Sequence, residues 1–442
     1  MALRRSHSCS NFRIFRILTA TYVLCAKVAA GLSNGLALTP PMGYNTWNAF
    51  HDEINETLIY QAADELVETG LAAAGYVYLV IDDGWANSQR NGSNPIEANA
   101  TRFPSGIRAV ADYVHAKGLK LGIYSDSGTL TCARYTASLG YEAIDAAQFA
   151  AWDVDLLKYD NCFSVPPSNQ TVRSRYEAMS NALNATGRPI LFSMCEWGVS
   201  SPWEYGDQVG NTWRTTQDIS LAISATWDSV MNNLEGTKGL ARFGGPGGWN
   251  DADMLEVGWP GGGLLSDVEQ RAHFALWAIL KSPLIFGNDL RNMTRQTLNI
   301  LKSPEVIAIN QDPLGIPGDL VWKQGPQEIY AAPLAGGARA VVLFNRHQHL
   351  DPNFPSQNIT VWWGSIGLPA NVTCSVRDLY GRQELGNFTA SFTAPILAHG
   401  AGALKITPLR KQANGDLWRP WSCDPSIGLY CDGEQGDELF NA

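Results

Sequence analysis

Two aspartates carry the chemistry this sequence can do. Asp160 lies in "VDLLKYDNCF", where an apolar approach runs into Lys158, Tyr159, Asp160, Asn161 and Cys162; Asp218 lies in "NTWRTTQDI", four residues after Arg214. Two carboxylates facing each other suit the hydrolysis of a glycosidic bond, one attacking or assisting the anomeric carbon while the other protonates the departing oxygen. Lys158, two residues before Asp160, projects to the same strand face and would keep that carboxylate ionised. Arg214 can do the same for Asp218 or hold sugar hydroxyls. Taken alone, both pairs read equally well as ion pairs bracing a rim.

Other segments add to the pattern. Tandem Asp82 and Asp83 in "VIDDGW" offer acceptors to adjacent hydroxyls, or a pair of metal ligands, while Trp47, Trp85, Trp197 and Trp249 offer flat apolar faces to a sugar ring. A tryptophan is more often core than subsite. The convergence of acidic, aromatic and basic segment ends is what packing alone explains poorly.

The elements able to bring them together are visible in the periodicity. From about Leu38 to Gly287 eight apolar runs, "PMGYNTW", "YVYLVIDDGW", "LKLGIYSD", "VDLLKYDNC", "PILFSMCEW", "NTWRTTQDI", "GGWNDADML" and "PLIFGND", alternate with helical patterns. The helices fall over Glu56–Ala74, Ile107–Lys117, Ala143–Trp152, Val172–Ala185, Leu221–Leu234, Val268–Lys281 and Arg295–Leu301. Eight β-α units predict an α/β fold, a (β/α)8 TIM barrel whose strands open on one mouth at their C-terminal ends. Charge at the end of a core strand then lies at a rim, where it stays wet or meets a ligand and its burial costs less.

After "VIAINQDPLGIPG" apolar and polar residues alternate between Gly, Pro and Asn turns, which predicts a C-terminal antiparallel β-sandwich domain. The organisation expected is a leader over 1–30, a barrel over 31–315, a sandwich over 316–409 and a tail over 410–442 without assigned role. Trp362 and Trp363 in the sandwich read as core first and sugar platforms second. Cys423 and Cys431 could close a loop in the tail.

Bulk composition narrows the function classes. The 442 residues are 45% hydrophobic and 17% charged, as in an ordinary globular protein, and the net charge of −10 argues against a nucleic-acid partner and for uncharged substrates. Arg4, Arg5, Arg13 and Arg16 precede an apolar run "ILTATYVLCA" and the small residues "VAAG", read here as a signal peptide cut near Ala30; Thr19, Thr21 and Lys27 leave a transit peptide as the alternative. No later run reaches the length of a membrane span. Nine sequons, at Asn55, Asn91, Asn99, Asn169, Asn184, Asn292, Asn358, Asn371 and Asn387, point to a secreted glycoprotein of the medium, cell wall or vacuole. No C-x-x-C occurs, and His347 and His349 have no further ligand at metal spacing, so no metal is expected.

Read in order, "MGYNTWN", "IDDGW", "GLKLGIYSD", "LKYDNC", "CEWG", "WRTTQDI" and "GPGGWNDADML" make the sequence resemble glycoside hydrolase family 27, the α-galactosidase and melibiase family, over nearly all of the mature chain. The resemblance implies Asp160 as nucleophile and Asp218 as acid/base, with galactose contacts from Trp47, Asp82, Asp83, Tyr124, Lys158, Cys195, Trp197, Arg214, Asp253 and Met254. It implies retention through two displacements, no cofactor, and a disulfide between Cys132 and Cys162; Cys195 and Cys374 have no obvious partners. Asp82 and Asp83 would accept from the 4- and 6-hydroxyls of galactose, and Cys195 with Trp197 would wall the 2-position against an N-acetyl group.

Three departures stand out. Gly84 and Asp52 replace both cysteines of a second family disulfide, so a looser loop after the first strand is expected; Gln217 replaces the family's glycine before the acid/base; and the tail has no counterpart. The expected activity is release of terminal α-galactose from raffinose-type oligosaccharides or galactomannan side chains, with an acidic bell-shaped pH profile. Alternatives are a β-L-arabinopyranosidase using the same site and a non-catalytic sugar-binding barrel.

Overall fold

The computed structural model describes residues 34–164, 171–219, 226–258, 265–347 and 356–409. The leader, the tail with Cys423 and Cys431, His349 and the sequon at Asn169 lie outside the described residues.

Each of the eight apolar runs forms a strand: β1 (Met42–Asn45), β2 (Tyr78–Ile81), β3 (Lys120–Asp126), β4 (Leu156–Asp160), β5 (Leu191–Met194), β6 (Thr212–Arg214), β7 (Trp249–Asp251) and β8 (Leu284–Phe286). They pair in parallel in the order β7-β6-β5-β4-β3-β2-β1-β8. The ring closes through Leu255, which bridges Phe286 and donates its backbone N–H to the Ile285 carbonyl at 2.7 Å. Tyr78, Val80, Leu156 and Leu191 form a small buried cluster against Leu36 and Ala37, and a larger core lies between strands and helices. A β/α barrel packed in this way leaves its C-terminal rim to polar groups.

The helices follow the expected pattern to within a residue or two at most ends, with one informative difference. The helix expected over Glu56–Ala74 stops at Glu68, where Gly70 at φ +77° breaks it, and a short 3-10 turn Ala72–Ala74 follows. Of the helix expected over Leu221–Leu234, residues 221–225 lie outside the described residues; the described helix runs Trp227–Thr237, and Thr226 accepts the Ser229 N–H while Ser229 reciprocates, a capping box at its first turn.

Eight further strands build the second domain: β9 (Asp319–Gln324), β10 (Gln327–Pro333), β11 (Arg339–Asn345), β12 (Ser356–Trp362), β13 (Thr373–Asp378), β14 (Gln383–Thr389), β15 (Ser391–Leu397) and β16 (Ala401–Pro408). Six form one antiparallel sheet, β14-β13-β16-β11-β10-β9, and β12 pairs with β15. β11 is buried at every position because its two faces serve two cores: Val341 and Leu343 face the sandwich, Val342 and Phe344 the barrel. Trp363 is buried in the sandwich core, whereas Trp362 at the end of β12 stands 57% exposed. The domains are also joined by His399 Nδ1 with Glu269 Oε1 at 2.7 Å and by Arg377 with Glu305 at 2.7 Å. Among the described residues no helix is long and apolar enough to cross a membrane.

Candidate active site

Asp160 is the last residue of β4 and is 6% exposed. Its two oxygens are fixed separately: the Tyr124 hydroxyl donates to Oδ2 at 3.0 Å and the Asn161 backbone N–H to Oδ1 at 3.0 Å. Burial pushes this carboxyl up to about 6; the Lys158 charge and the Tyr124 hydrogen bond pull it down, and the charges of Asp218 and Asp82 push with burial. Lys158, expected to serve Asp160 directly, forms its ion pair with Asp82 Oδ2 at 2.8 Å and acts on Asp160 through its field. Burial works against the lysine charge, but the Asp82, Cys195 and Asp160 groups outweigh it and hold the pKa above the ordinary lysine range.

The tandem aspartates are not equivalent. Asp82 Oδ2 takes both Lys158 and the Asn45 amide, the latter at 2.6 Å. Asp83 turns toward backbone, accepting the N–H of Gly84 and of Ala133, each at 2.8 Å. Burial pushes Asp83 up to about 6.

Ala133 follows Cys132, which is bonded to Cys162 with 5.1 Å between Cα atoms, so the loop after β3 is tied to the end of β4. Asp126, the last residue of β3, lies in register with Asp160 and accepts the N–H of Cys162 at 2.9 Å and of Gly128 at 2.7 Å. Burial and the Asp160 charge push Asp126 well above the carboxylate range. Ligand-type atoms of Asp126, Cys132, Asp160 and Cys162 lie within 4.8 Å of one another, but both sulfurs are already joined. That chemistry suits a metal poorly.

Across the mouth, Arg214 ends β6 and holds two carboxylates, Asp253 Oδ1 at 2.8 Å and Asp218 Oδ1 at 3.0 Å. Asp218 lies in a loop four residues past β6, and its side chain is 48% exposed. The turn before it is rigidly held: the Thr215 N–H bonds the Asp251 carbonyl at 2.9 Å, and Asn233 donates to the Gln217 carbonyl at 2.9 Å. A Cβ on Gly198 (φ +75°) would lie 2.2 Å from the Thr215 oxygen, so only glycine lets the "CEWG" loop seat against this turn. Gln217 is exposed beside Asp218.

Asp253 occupies a left-handed conformation at φ +86°, strained for a residue with a Cβ. Three bonds hold it there: Oδ2 accepts the Ile219 N–H at 2.7 Å, its carbonyl accepts Trp277 Nε1 at 2.7 Å, and its own N–H meets Asp251 Oδ1 at 2.9 Å. Burial pushes Asp253 up to about 7 against the opposing charge of Arg214.

Lys158, Cys195, Arg214, Asp253 and Met254 line one pocket, together with Asn45, Ser193 and Asp251 and the apolar Val80, Leu156 and Ile285. Cys195, the residue after the end of β5, is a free buried thiol 3.7 Å from Arg214 Nη1. The Asp218 charge acts on Asp160, and both carboxylates act on this thiol, which burial pushes well above its ordinary range. Trp47, just past β1, is half-buried with its ring edge-on to His51, and Trp197 is half-buried at φ +59°.

Two expected sugar faces belong instead to the core. Trp85 is 1% exposed, donates Nε1 to the Tyr124 carbonyl at 2.8 Å and packs edge-on against Phe149 and Trp152. Trp249 is fully buried because it begins β7 rather than ending it, at the far side of the barrel from the mouth, where its Nε1 donates to the Ala37 carbonyl. Asn45 and Asp126, neither of them an expected site residue, end β1 and β3; Asp126 also closes the expected run "LKLGIYSD", whereas the run "PMGYNTW" continues two residues past Asn45.

The loop after β1, expected to be loose, is clipped. Arg102 Nη1 donates to the carbonyls of Asp52 at 2.6 Å and Gly84 at 2.5 Å, and Tyr135 donates to Asp52 Oδ2 at 2.8 Å. A Cβ on Gly84 (φ +98°) would stand 2.7 Å from the Asp52 Cβ, so this glycine is also needed for the close approach.

Comparison with known proteins gives a consistent result. A family model described as alpha galactosidase A matches residues 39–312, and one described as the alpha galactosidase C-terminal beta sandwich domain matches residues 324–406. The chain is 46% identical to alpha-galactosidase 3 of Arabidopsis thaliana over 383 residues, 85% of this chain and 84% of the relative. Alpha-galactosidase I of Mortierella vinacea superimposes with a TM-score of 0.77 at 38% identity, over 85% of this chain and 98% of that one. A β-L-arabinopyranosidase of Geobacillus stearothermophilus shares the fold at a TM-score of 0.73 and 24% identity, over 86% of this chain and 98% of that one.

Proposed function

Since the chain belongs to the α-galactosidase family of glycoside hydrolases and hydrolyses α-galactosides, we propose that it does so by double displacement, with Asp160 as nucleophile and Asp218 as acid/base. The observation that carries this assignment is the asymmetry between the two: Asp160 is buried with both oxygens held, Asp218 half-exposed on one ion pair. In the first step an Asp160 oxygen bonds the anomeric carbon as the C–O bond to the aglycone breaks, and Asp218 gives its proton to the leaving oxygen. In the second, Asp218 takes a proton from water, the water oxygen bonds the anomeric carbon from the other face, and Asp160 leaves as carboxylate. Asp218 thus regains from water the proton it gave to the aglycone, and Asp160 carries no proton in either step.

The galactose ring is held by Asp82 and Lys158, by Asp83 on the same edge, by Arg214 and Asp253 opposite, and between Trp47, Tyr124, Cys195, Trp197 and Met254. The ion pair Lys158–Asp82 at 2.8 Å supports this, since it leaves a charged donor and a charged acceptor side by side for neighbouring hydroxyls. Terminal galactose of raffinose-type oligosaccharides or galactomannan is the substrate this reading favours. The leader and the sequons support secretion into the medium, wall or vacuole; the described sequon residues are exposed except the half-buried Asn99. N-terminal sequencing near Ala30 and a mass shift with endoglycosidase check this.

Following the anomer first formed from an aryl α-galactoside by NMR tests the chemistry. α-Galactose appearing before mutarotation is the expected result, and β-galactose first would contradict a double displacement. Comparing kcat/KM on aryl α-galactoside and aryl β-L-arabinopyranoside tests the sugar: the galactoside is expected to be turned over faster, and a preference for arabinose would contradict the specificity.

A further inference from the structure

One buried carboxyl close to the site plays no part in those steps. Glu256 follows the Asp253–Met254 loop, is 3% exposed and is not among the residues lining the pocket. Its Oε1 accepts the Asn48 amide at 2.6 Å. Asn48 is the neighbour of Trp47, on the opposite rim of the closing seam.

Both ends of this link are anchored. On one side the Glu256 backbone N–H donates to His273 Nε2 at 3.1 Å, and Trp277 Nε1, one helical turn later, donates to the Asp253 carbonyl at 2.7 Å. His273 is fully buried, and burial pushes it down to about 3, which keeps Nε2 a neutral acceptor. Its ring stands edge-on to Trp277 at 4.1 Å, so the helix Asp267–Leu280 grips the Asp253–Glu256 segment at two points. On the other side, the Trp47 N–H donates to Asn45 Oδ1 at 2.8 Å, and a Cβ on Gly287 would stand 2.9 Å from the Asn48 Cβ, which leaves Asn48 little room to swing.

We propose that Glu256 is a positioning residue for galactoside binding: through Asn48 it bolts the turn carrying Trp47 to the loop carrying Asp253 and Met254, so that opposite walls of the sugar site keep one spacing. The inference rests on the reading above that Trp47 contacts the sugar. A carboxyl in this place costs desolvation that an apolar side chain would not, and among the described residues the directed bond to Asn48 is what offsets it. Burial and the Asp253 and Asp218 charges push Glu256 well above the carboxylate range, against the Asn48 hydrogen bond. Glutamine has the same shape and keeps an oxygen that can accept from the Asn48 amide.

The test compares Glu256→Ala, Glu256→Gln and Trp47→Ala on an aryl α-galactoside, with thermal melting recorded for each. The expected result is a KM raised about tenfold in Glu256→Ala with kcat within about twofold, recovery to near wild type in Glu256→Gln, and no further rise when Glu256→Ala is added to Trp47→Ala. If Glu256→Ala does not fold, Asn48→Ala reads the same link. An unchanged KM in Glu256→Ala or Asn48→Ala, or full additivity with Trp47→Ala, would overturn the proposal. If Trp47→Ala itself leaves KM unchanged, the sugar-contact reading fails, and this inference with it.

Discussion

The two halves of the active site are built on opposite terms. Around Asp160 everything is inside: the carboxylate ends a strand, a tyrosine hydroxyl and a backbone amide fix its oxygens, and a disulfide clamps the loop beside it. Asp218 lies four residues beyond its strand, holds one arginine, and presents nearly half of its side chain to solvent. A group that must form a bond to one carbon gains from being immobile and dry. A group that must reach a departing oxygen and then an incoming water gains from an open side. Under the proposed assignment, the difference in burial follows the difference in role.

Single substitutions should break this contrast unequally. Asp160→Asn is expected to lower kcat/KM by at least about 10³-fold on every galactoside, because no leaving group can compensate for a missing nucleophile. Asp218→Ala should cost about 10²- to 10⁴-fold on a disaccharide, whose leaving oxygen needs a proton, but far less on a dinitrophenyl galactoside. Steady-state rates on both substrates measure it. Equal losses on the two would contradict the acid role.

Changing the field sharpens the comparison further. Asp160 must be ionised to attack, so kcat/KM of the free enzyme should fall as pH drops below about 6. Lys158→Met removes a charge that lowers this pKa, and the acid limb should move to higher pH while the disaccharide KM rises. An acid limb that stays in place would show that Lys158 serves only Asp82.

A smaller effect concerns stability. Asp83, Asp160 and Asp253 are raised by burial to about 6, 6 and 7, and Asp126 and Glu256 well above their ordinary range. In that window the native state binds more protons than the unfolded chain, so stability is fully present below the ordinary carboxylate pKa and is lost as pH rises toward about 7. Thermal melts from pH 4.5 to 7.5 should show a falling Tm, partly restored by galactose. A Tm that rises over that range would mean the buried carboxyls are better compensated than their surroundings indicate.

Much of this was legible in the residues. Strands that end in Tyr124 to Asp126 or Lys158 to Asp160 announce themselves, because an apolar run that meets charge can stop only where solvent or a ligand begins. Gly70 sets a helix bound that apolar spacing missed, since a break acts through one residue. Orientation was harder to read. Trp249 and Trp85 look like mouth tryptophans in sequence, yet one opens its strand and the other folds back under Tyr124. Nor does local sequence reveal that Arg102 bridges Asp52 and Gly84, or that Glu256 meets Asn48 208 positions away. Those contacts exist only once the barrel has closed.

The account turns on which carboxylate bonds to the sugar. Incubation with a 2-deoxy-2-fluoro-α-galactosyl fluoride, followed by proteolysis and mass spectrometry, should place one fluorogalactosyl group on Asp160. A label on Asp218 would reverse the two roles and contradict the link drawn here between burial and nucleophilic attack.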